Sequence, residues 1–219
     1  MPRPRRSAEE IAQIRERILD AALELLREGG PQAISIRALA ERLGVSHMVF
    51  YTYFDSRAEL LRALSHRQRE RVGQRRAQML ERARQGDVVQ VVRDALAHYA
   101  HISGHAPRIY ELLLVHCVES SPEGFTKPTE ILAHDLEHLQ ALIELGVSRG
   151  ALVSRDPRLA AKVAFAIVNG PLILLHSGRL TDEADAGCGR DELIQESLSA
   201  AMAYLIHPQT AEDTAGHTE

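Results

Sequence analysis

The length and composition of the chain are those of an ordinary folded protein. Of its 219 residues, 45% are hydrophobic and 26% are charged, which excludes a collagen-like, disulfide-rich or largely disordered chain. A chain of this length can bury one large core or two small ones. Its two cysteines, Cys117 and Cys188, lie far apart in the sequence, which favours thiols in a reducing, cytoplasmic compartment.

Charge is distributed unevenly along the chain. Residues 1–76 hold 15 arginines against 10 acidic residues, whereas residues 77–219 hold 11 basic against 20 acidic residues. A basic N-terminal third and an acidic remainder would orient the protein on a polyanion such as nucleic acid. A chance distribution of solvated charges would give the same counts, so charge alone does not decide between the two.

The sequence predicts neither a secretory leader nor a membrane span. Three arginines lie among the first six residues, and a charged segment follows them without an apolar stretch. The most apolar run, residues 163–175, is interrupted by Asn169 and Pro171 and is shorter than the ~20 residues that cross a bilayer. We therefore expect no membrane partner.

The first predicted helix begins at a capping box. Ser7 and Glu10 have the spacing in which each side chain bonds the other residue's backbone N–H. Apolar residues then recur every three or four positions, and Gly29-Gly30-Pro31 ends the helix. The recurring residues are Ile11, Ile14, Ile18, Ala22 and Leu25.

Two short helices follow. Ser35 is a predicted N-cap for a helix that ends at Gly44, a residue that readily adopts the left-handed conformation. Ser46 is a predicted N-cap for a third helix from His47 to Phe54. Two short helices joined by a glycine turn have the geometry of a helix-turn-helix.

The rest of the chain also predicts helices, and no strand-like alternation interrupts them. A long helix from about 57 to 85 ends near Gly86, and the polar tail 208–219 is predicted to be disordered. Five more helices are predicted at 88–103, 107–118, 127–149, 157–178 and 190–206. The fold class is all-α, with about nine helices: a helix-turn-helix domain at 1–56 and a second helical domain at 57–207.

Residues 34–54 read ISIRALAERLGVSHMVFYTYF and are followed by DSRAELL. This stretch, with its Gly-Val-Ser turn and Tyr-x-Tyr-Phe ending, resembles the DNA-binding signature of the TetR family. The resemblance implies a homodimeric transcriptional repressor that binds a near-palindromic operator and releases it when a small molecule binds. The match extends from the first helix to Leu64, about a quarter of the chain.

The helix-turn-helix predicts which side chains contact DNA. Helix N-termini attract phosphate, so Ser35 and Ser46 are predicted phosphate contacts as well as caps. Arg37, His47 and Met48 are placed to read base edges. The resemblance assigns the hydroxyls of Tyr51 and Tyr53 to phosphates, and Arg57 stands where the family usually has lysine.

Some positions depart from the family or allow a second interpretation. Met48 and Phe50 are bulkier than the residues that the family usually has there, so the operator sequence is not predicted. Tyr51 and Phe54 are also compatible with the core, which we prefer for Phe54. The N-terminal arginines are either a minor-groove arm or a solvated terminus.

The last two predicted helices carry apolar surfaces suited to a dimer. The run 163–175 is apolar nearly all round, and the final helix carries a stripe formed by Leu198, Ala201, Met202 and Leu205. In TetR-like proteins the last two helices form a four-helix bundle between protomers. The alternative is a monomer with an unusually apolar core.

The effector is predicted to be small, organic and largely apolar. The chain has no tryptophan and few aromatic residues outside the helix-turn-helix, so a cage for flat cations is poorly supplied. Aliphatic residues with scattered polar anchors would line the cavity, unless the leucines simply pack a solid core. The candidates are Tyr99, Tyr110, Leu113, His116, Leu139, Phe165, Asn169 and Leu172.

Two other function classes remain open. His134 and His138 lie four residues apart, as a metal-binding pair would, and His116 or Cys117 could add a ligand; no motif supports this, so we expect no metal and no cofactor. The other class is a DNA-binding regulator whose C-terminal domain responds to a protein or to no effector at all. No nucleophile elbow or phosphate-binding loop occurs, which argues against an enzyme.

Overall fold

The computed structural model describes residues 7–115, 127–180 and 189–207. Within these ranges all regular structure is helical, which confirms the all-α class. The helices are α1 (Ala8–Gly29), α2 (Ile36–Leu43), α3 (His47–Phe50), α4 (Arg57–Gln85), α5 (Val88–His105), α6 (Pro107–Tyr110), α7 (Pro128–Ser148), α8 (Pro157–His176) and α9 (Arg190–Ile206). A 3-10 turn occupies Pro31–Ala33, and a π-helical segment, Glu111–Val115, follows α6.

The chain divides into two compact units, and each unit combines two separate stretches of the sequence. Unit 1 comprises Met1–Arg75 and Ile102–Leu132, and unit 2 comprises Arg76–His101 and Ala133–Glu219. The domain boundary at residue 56 stays a prediction. The predicted tail 208–219, His116, Cys117 and Cys188 lie outside the described residues.

Helix α1 begins as the sequence predicts. The Ser7 hydroxyl accepts a hydrogen bond from the Glu10 backbone N–H at 3.1 Å, and the Glu10 carboxylate accepts one from the Ser7 N–H at 2.7 Å. Both bonds satisfy backbone donors that have no partner within the helix. The helix ends at Gly29, and the capping residue Gly30 has a φ of 71°.

The turn between α2 and α3 also follows the sequence. The Ser35 hydroxyl accepts a bond from the Ala38 N–H at 3.1 Å. Gly44 adopts a left-handed conformation, with φ 65° and ψ 33°, in which an L side chain would be strained. The chain therefore reverses between two short helices without distorting either.

Helix α3 is shorter than the predicted segment from His47 to Phe54. It ends at Phe50, whose carbonyl accepts hydrogen bonds from the N–H groups of both Tyr53 (2.9 Å) and Phe54 (3.1 Å). This tight turn brings Tyr53 and Phe54 into the core, where both are buried. Apolar periodicity could not show this, because a helix and a turn both bury these rings.

The core of unit 1 holds the helix-turn-helix in place. Phe50 and Phe54 stack with ring centroids 5.7 Å apart, and both are fully buried, which confirms the core position of Phe54. Arg57, at the start of α4, donates to the carbonyl oxygens of Ile34 (2.6 Å) and Pro31 (2.9 Å). The start of α4 is thereby fixed to the segment that precedes α2.

The core of unit 2 includes the packing of α8 against α9. Both helices contribute buried side chains to one apolar cluster: Ala160, Ala161, Ala164, Val168, Leu198, Ala201, Met202 and Leu205. The stripe on α9 was predicted to face a partner protomer, and this prediction is wrong. Its four residues are buried within the chain's own core.

Helix α8 is longer than the apolar run in the sequence. It has 20 residues, continues through Pro171, and is long and apolar enough to cross a membrane by length and composition alone. The length of this helix therefore does not exclude a membrane span. A core helix passes the same test, and a third of the most apolar window is buried within the chain.

Candidate nucleic-acid interface

Helix α3 and the turn after it present one face to solvent and one to the core. Met48 is 75% exposed and Tyr51 is 50% exposed, whereas Phe50 is 2% exposed. His47, at the first position of the helix, is also exposed. Three of the residues predicted to contact DNA therefore lie on the accessible surface of the helix-turn-helix.

The start of α2 provides a second exposed group. Ser35 and Arg37 are exposed, and the Arg37 guanidinium pairs with Glu41 through a 2.9 Å Nε–Oε1 contact. An exposed pair of this kind contributes only about 0.2–1 kcal/mol, so phosphate or a base could displace the carboxylate. Ser46 is exposed at the N-cap position of α3, but its side chain makes no capping bond there.

Two residues predicted to contact phosphate are engaged within unit 1. Tyr53 is buried, and Arg57 donates to two backbone carbonyl oxygens. In the structure the Tyr53 ring packs the core and Arg57 positions α4. Their contacts with phosphate stay a prediction.

Neighbouring arginines are held by carboxylates. Arg42 makes a bidentate pair with Glu28 at 2.7 and 2.6 Å, and this hydrogen bonding lowers the pKa of Glu28. Arg15 pairs with Glu59 at 3.2 Å and lies over the Phe54 ring, 4.1 Å from its centroid. These contacts fix the arginine side chains and offset part of the positive charge of unit 1.

A small cavity of about 140 Å³ lies within unit 1. Its walls come from α1, α2, α3 and the turns beside them: Ile14, Arg17, Ile18, Leu39, Ala40, Leu43, Val45, Val49, Phe50 and Tyr53. None of these residues belongs to the predicted effector site. The cavity therefore does not test that prediction.

The predicted effector residues are divided between the two units. Tyr110 and Leu113 belong to unit 1, and His116 is outside the described residues. Tyr99, Leu139, Phe165, Asn169 and Leu172 belong to unit 2. Leu139 and Leu172 are buried core residues, and Asn169 is buried with its Nδ2 donating to the Phe165 carbonyl at 3.0 Å.

Unit 2 contains a polar cluster, which we define as Arg76, Tyr99, Asp135 and His138. The Tyr99 hydroxyl donates to Asp135, and the Arg76 Nε donates to the same carboxylate at 3.1 Å. The Tyr99 ring meets Phe165 edge to face, with centroids 5.0 Å apart. A cation, a carboxylate and a phenol thus share one partly buried place.

His138 is the fourth member of the polar cluster. Burial, and then the positive charge of Arg76, lower its pKa, although Asp135 acts in the opposite direction. Its Nε2 is buried and has no hydrogen-bond partner among the described residues. Burial thus favours the neutral imidazole over the charged one, and one ring nitrogen is available for a bond.

Sequence reasoning found Tyr99 but missed Arg76 and Asp135, and it considered His138 only as a metal ligand. No local signal joins these residues, since Arg76 and Asp135 are 59 positions apart and Tyr99 and Asp135 are 36 apart. Among the described residues, no three His, Cys, Asp or Glu side chains are grouped so as to hold a metal ion. The pair His134 and His138 gains no third ligand there.

The helix-turn-helix, with its exposed α3, lies in the first part of unit 1. Residues 18–64 match the family model "Bacterial regulatory proteins, tetR family". The repressor KstR of Rhodococcus jostii is 44% identical over 61 residues, which are 28% of this chain and 29% of KstR. The class C tetracycline repressor of Escherichia coli is 43% identical over 51 residues, 23% of each chain. The similarity thus spans less than a third of the length of these relatives.

Solved structures resemble nearly the whole chain. FadR from Bacillus subtilis, in complex with stearoyl-CoA, has a TM-score of 0.58 at 21% identity, over 87% of this chain and 97% of FadR. A regulator from Saccharomonospora viridis, in complex with choline, has a TM-score of 0.67 at 17% identity, over 90% and 100% of the two chains. These likenesses show the fold.

Residues 18–64 thus form a domain that matches the tetR family of bacterial regulatory proteins. This confirms the resemblance that residues 34–54 carry.

Proposed function

We propose that the protein is a ligand-responsive transcriptional repressor, which acts in the cytoplasm, binds a near-palindromic operator as a homodimer and releases it when a small organic effector binds. The observation that carries the proposal is the exposed face of α3 within a domain that matches the tetR family model. Two reading heads related by a two-fold axis would contact two half-sites about one helical turn apart.

The DNA-binding step separates base contacts from phosphate contacts. His47 and Arg37 are exposed and carry hydrogen-bonding groups suited to base edges, whereas Tyr51 presents a half-exposed hydroxyl to the backbone. Arg37→Ala or His47→Ala should change the bases selected, and Tyr51→Phe should weaken binding to all sequences to a similar degree.

The measurement is selection of duplexes from a random pool by the wild type and by each variant, followed by fluorescence anisotropy. Arg27→Ala, an exposed change near the end of α1, is the matched control for loss of one positive charge. An unchanged sequence preference in both the Arg37 and His47 variants would contradict the assignment of these residues to base reading.

The dimer is proposed to form through the exposed side of α8 and α9. Leu159, Leu174 and Ile206 are 54%, 38% and 39% exposed, so these helices leave apolar side chains outside the chain's own core. Burying such side chains against a second copy would contribute about 25 cal/mol for each Å² of apolar area. The tetR-like fold and the two-fold symmetry of a palindromic operator support this interface.

Leu159→Glu should place an uncompensated carboxylate in the interface and give monomers. Arg158→Glu, an exposed neighbour on the same helix, is the matched control for added negative charge. Light scattering at micromolar concentration measures the oligomeric state. A monomeric wild type, or a fully dimeric Leu159→Glu variant, would contradict this interface.

The effector is proposed to be largely apolar with one polar end. The two structural neighbours hold stearoyl-CoA and choline, ligands of opposite character, so the fold does not choose between them. The choice comes from the chain itself, whose middle helices combine aliphatic residues with the polar cluster of unit 2. The buried Nε2 of neutral His138 would accept or donate a bond to a hydroxyl or carbonyl group.

A panel of acyl, terpenoid and steroid compounds, tested by thermal shift and by release of the selected duplex, examines this directly. His138→Phe should lower the affinity for compounds with a polar end by removing one hydrogen bond. His134→Gln, an exposed change one turn away on α7, should leave it unchanged. Release of DNA only by metals or by flat aromatic cations would overturn the proposed effector class.

A further inference from the structure

Three residues near α3 expose carbon-rich side chains, and we name them the apolar reading surface: Val45, Met48 and Tyr51. Met48 is 75% exposed, Tyr51 50% and Val45 39%. A single exposed apolar side chain is unremarkable, but here three follow one another at a spacing of three residues. All of them lie inside the segment that matches the DNA-binding family model.

The backbone keeps Met48 and Tyr51 on the same side of the segment. Tyr51 has φ −67° and ψ −9°, so it continues the helical path of α3, and residues three apart are neighbours on such a path. Phe50 and Tyr53 occupy the opposite side and are buried. Val45 precedes α3, and its N–H donates to the Ala40 carbonyl at 3.0 Å; its side chain borders the cavity of unit 1 and is still 39% exposed.

The chemistry of this surface limits what it can recognise in DNA. Valine has no polar group and methionine has only a weakly accepting sulfur, so neither reads base edges by strong hydrogen bonds. The apolar group that a base pair presents in the major groove is the 5-methyl group of thymine. A methylated cytosine carries its methyl group at the same ring position.

Polar readers are few beside this surface. His47 is exposed at the start of α3, and Arg37 is paired with Glu41 before any DNA binds. Met48, which is 75% exposed on α3, would therefore read DNA by apolar contact.

From this placement we infer that Met48, supported by Val45, recognises the 5-methyl group of a pyrimidine in each operator half-site. Thymine is selected over cytosine at that position, and 5-methylcytosine partly replaces thymine. The inference rests on the proposed function, because it needs a specific operator. It deepens that function by naming the chemical group that is read.

The test begins with a duplex selected from a random pool by the full-length wild type. Each thymine is then replaced by deoxyuridine, which removes one methyl group and leaves every hydrogen-bonding group in place. At the contacted position the dissociation constant should rise about fourfold for one half-site and about sixteenfold for both, the effect of removing one buried methyl group from each. The other thymines should respond less.

Met48→Ala assigns the methyl contact to its residue. Because Met48 is exposed, this variant should fold with an unchanged circular dichroism spectrum, bind the selected duplex at least about sixteenfold more weakly and lose the deoxyuridine effect. His47→Ala is the control, which should bind more weakly yet keep the deoxyuridine effect. A duplex with cytosine at the contacted position should regain affinity for the wild type, and not for Met48→Ala, when that cytosine is 5-methylated.

The outcomes distinguish a failure of the proposed function from a failure of methyl recognition by Met48. If selection enriches no sequence, the proposed function fails. If a sequence is enriched but no deoxyuridine substitution weakens binding, or if Met48→Ala keeps the full effect, methyl recognition by Met48 is wrong while operator binding stands.

Discussion

Arg67 is a buried arginine whose partners are exposed, and this asymmetry makes an unusual prediction about stability. Its side chain belongs to a residue that is 8% exposed, and one terminal nitrogen bonds the carboxylates of Glu16 (2.9 Å) and Asp20 (2.8 Å). Those carboxylate side chains are more than half exposed. Among the described residues, the Nε and the other terminal nitrogen of Arg67 are buried without a partner.

Two free-energy terms oppose each other here. Charge-assisted hydrogen bonds stabilise by about 1.5–3 kcal/mol each, but burying a guanidinium costs several kcal/mol. Neutralising both carboxylates in the double variant Glu16→Gln, Asp20→Asn removes the compensation and leaves the cost. We expect a loss of about 2–3 kcal/mol, since exposed partners are screened by solvent. Arg67→Met removes cost and compensation together, so it should lie within about 1 kcal/mol of the wild type.

Urea unfolding followed by circular dichroism, at one protein concentration and ionic strength, measures the difference. The triple variant, with Arg67→Met added to the double variant, should regain most of the lost free energy of unfolding. An Arg67→Met variant that is destabilised as much as the double variant would refute this balance, because the ion pairs would then outweigh the desolvation of the guanidinium.

Three further predictions concern single residues. Gly44→Ala should lower the free energy of unfolding by about 1 kcal/mol, because the positive φ strains an L residue although no atom lies within 4 Å of the added Cβ. Gly73→Ala, inside α4 and equally open, should raise the free energy of unfolding by about 0.5–1 kcal/mol. A change in the same direction for both variants would show that strain at Gly44 is not the cause. Because the pKa of His138 is lowered in the folded protein, the unfolded chain binds a proton more readily, so the free energy of unfolding should fall as pH decreases from about 6.5 toward the folded pKa. His138→Phe should remove this pH dependence, and His134→Gln should keep it. Urea titrations across that pH range would measure both. The pKa of Glu59 is lowered, first by the hydrogen bond from the Asp55 N–H and then by Arg15. The resulting stability is present above the ordinary glutamate pKa and is lost as pH falls through the pKa of Glu59 in the folded protein. Glu59→Gln should therefore flatten the acid side of the stability profile by about a few tenths of a kcal/mol, and an unchanged profile would contradict this.

The sequence predicted those parts of the fold that depend on neighbouring residues. The capping box at Ser7 and Glu10, the cap at Ser35 and the left-handed Gly44 were all confirmed, because each is determined within three or four residues. The bounds of α4, α5, α7, α8 and α9 agree with prediction within about three residues. The end of α3 was missed, because it depends on two N–H groups that share the Phe50 carbonyl.

Long-range relations could not be predicted in the same way. The stripe that includes Leu198 and Leu205 was recognised as apolar, but periodicity does not say whether an apolar face meets its own chain or a second copy. The polar cluster joins residues from α4, α5 and α7, which only the fold brings together. Side-chain packing decides whether each predicted DNA contact is exposed or buried. Tyr51 is half exposed, whereas Tyr53 is buried.

The packing of α8 also decides between the two surroundings that its composition allows. If α8 crossed a bilayer, α9, which packs against it, would enter the hydrocarbon as well. Helix α9 begins with Asp191 and Glu192 and carries Glu196 one turn later, all exposed in the structure. Glu196, which lies inside α9, would cost about 3 kcal/mol near the centre of a membrane. This favours the proposed dimer interface as the place of the exposed apolar residues of α8, because the charged start of α9 stays in water there.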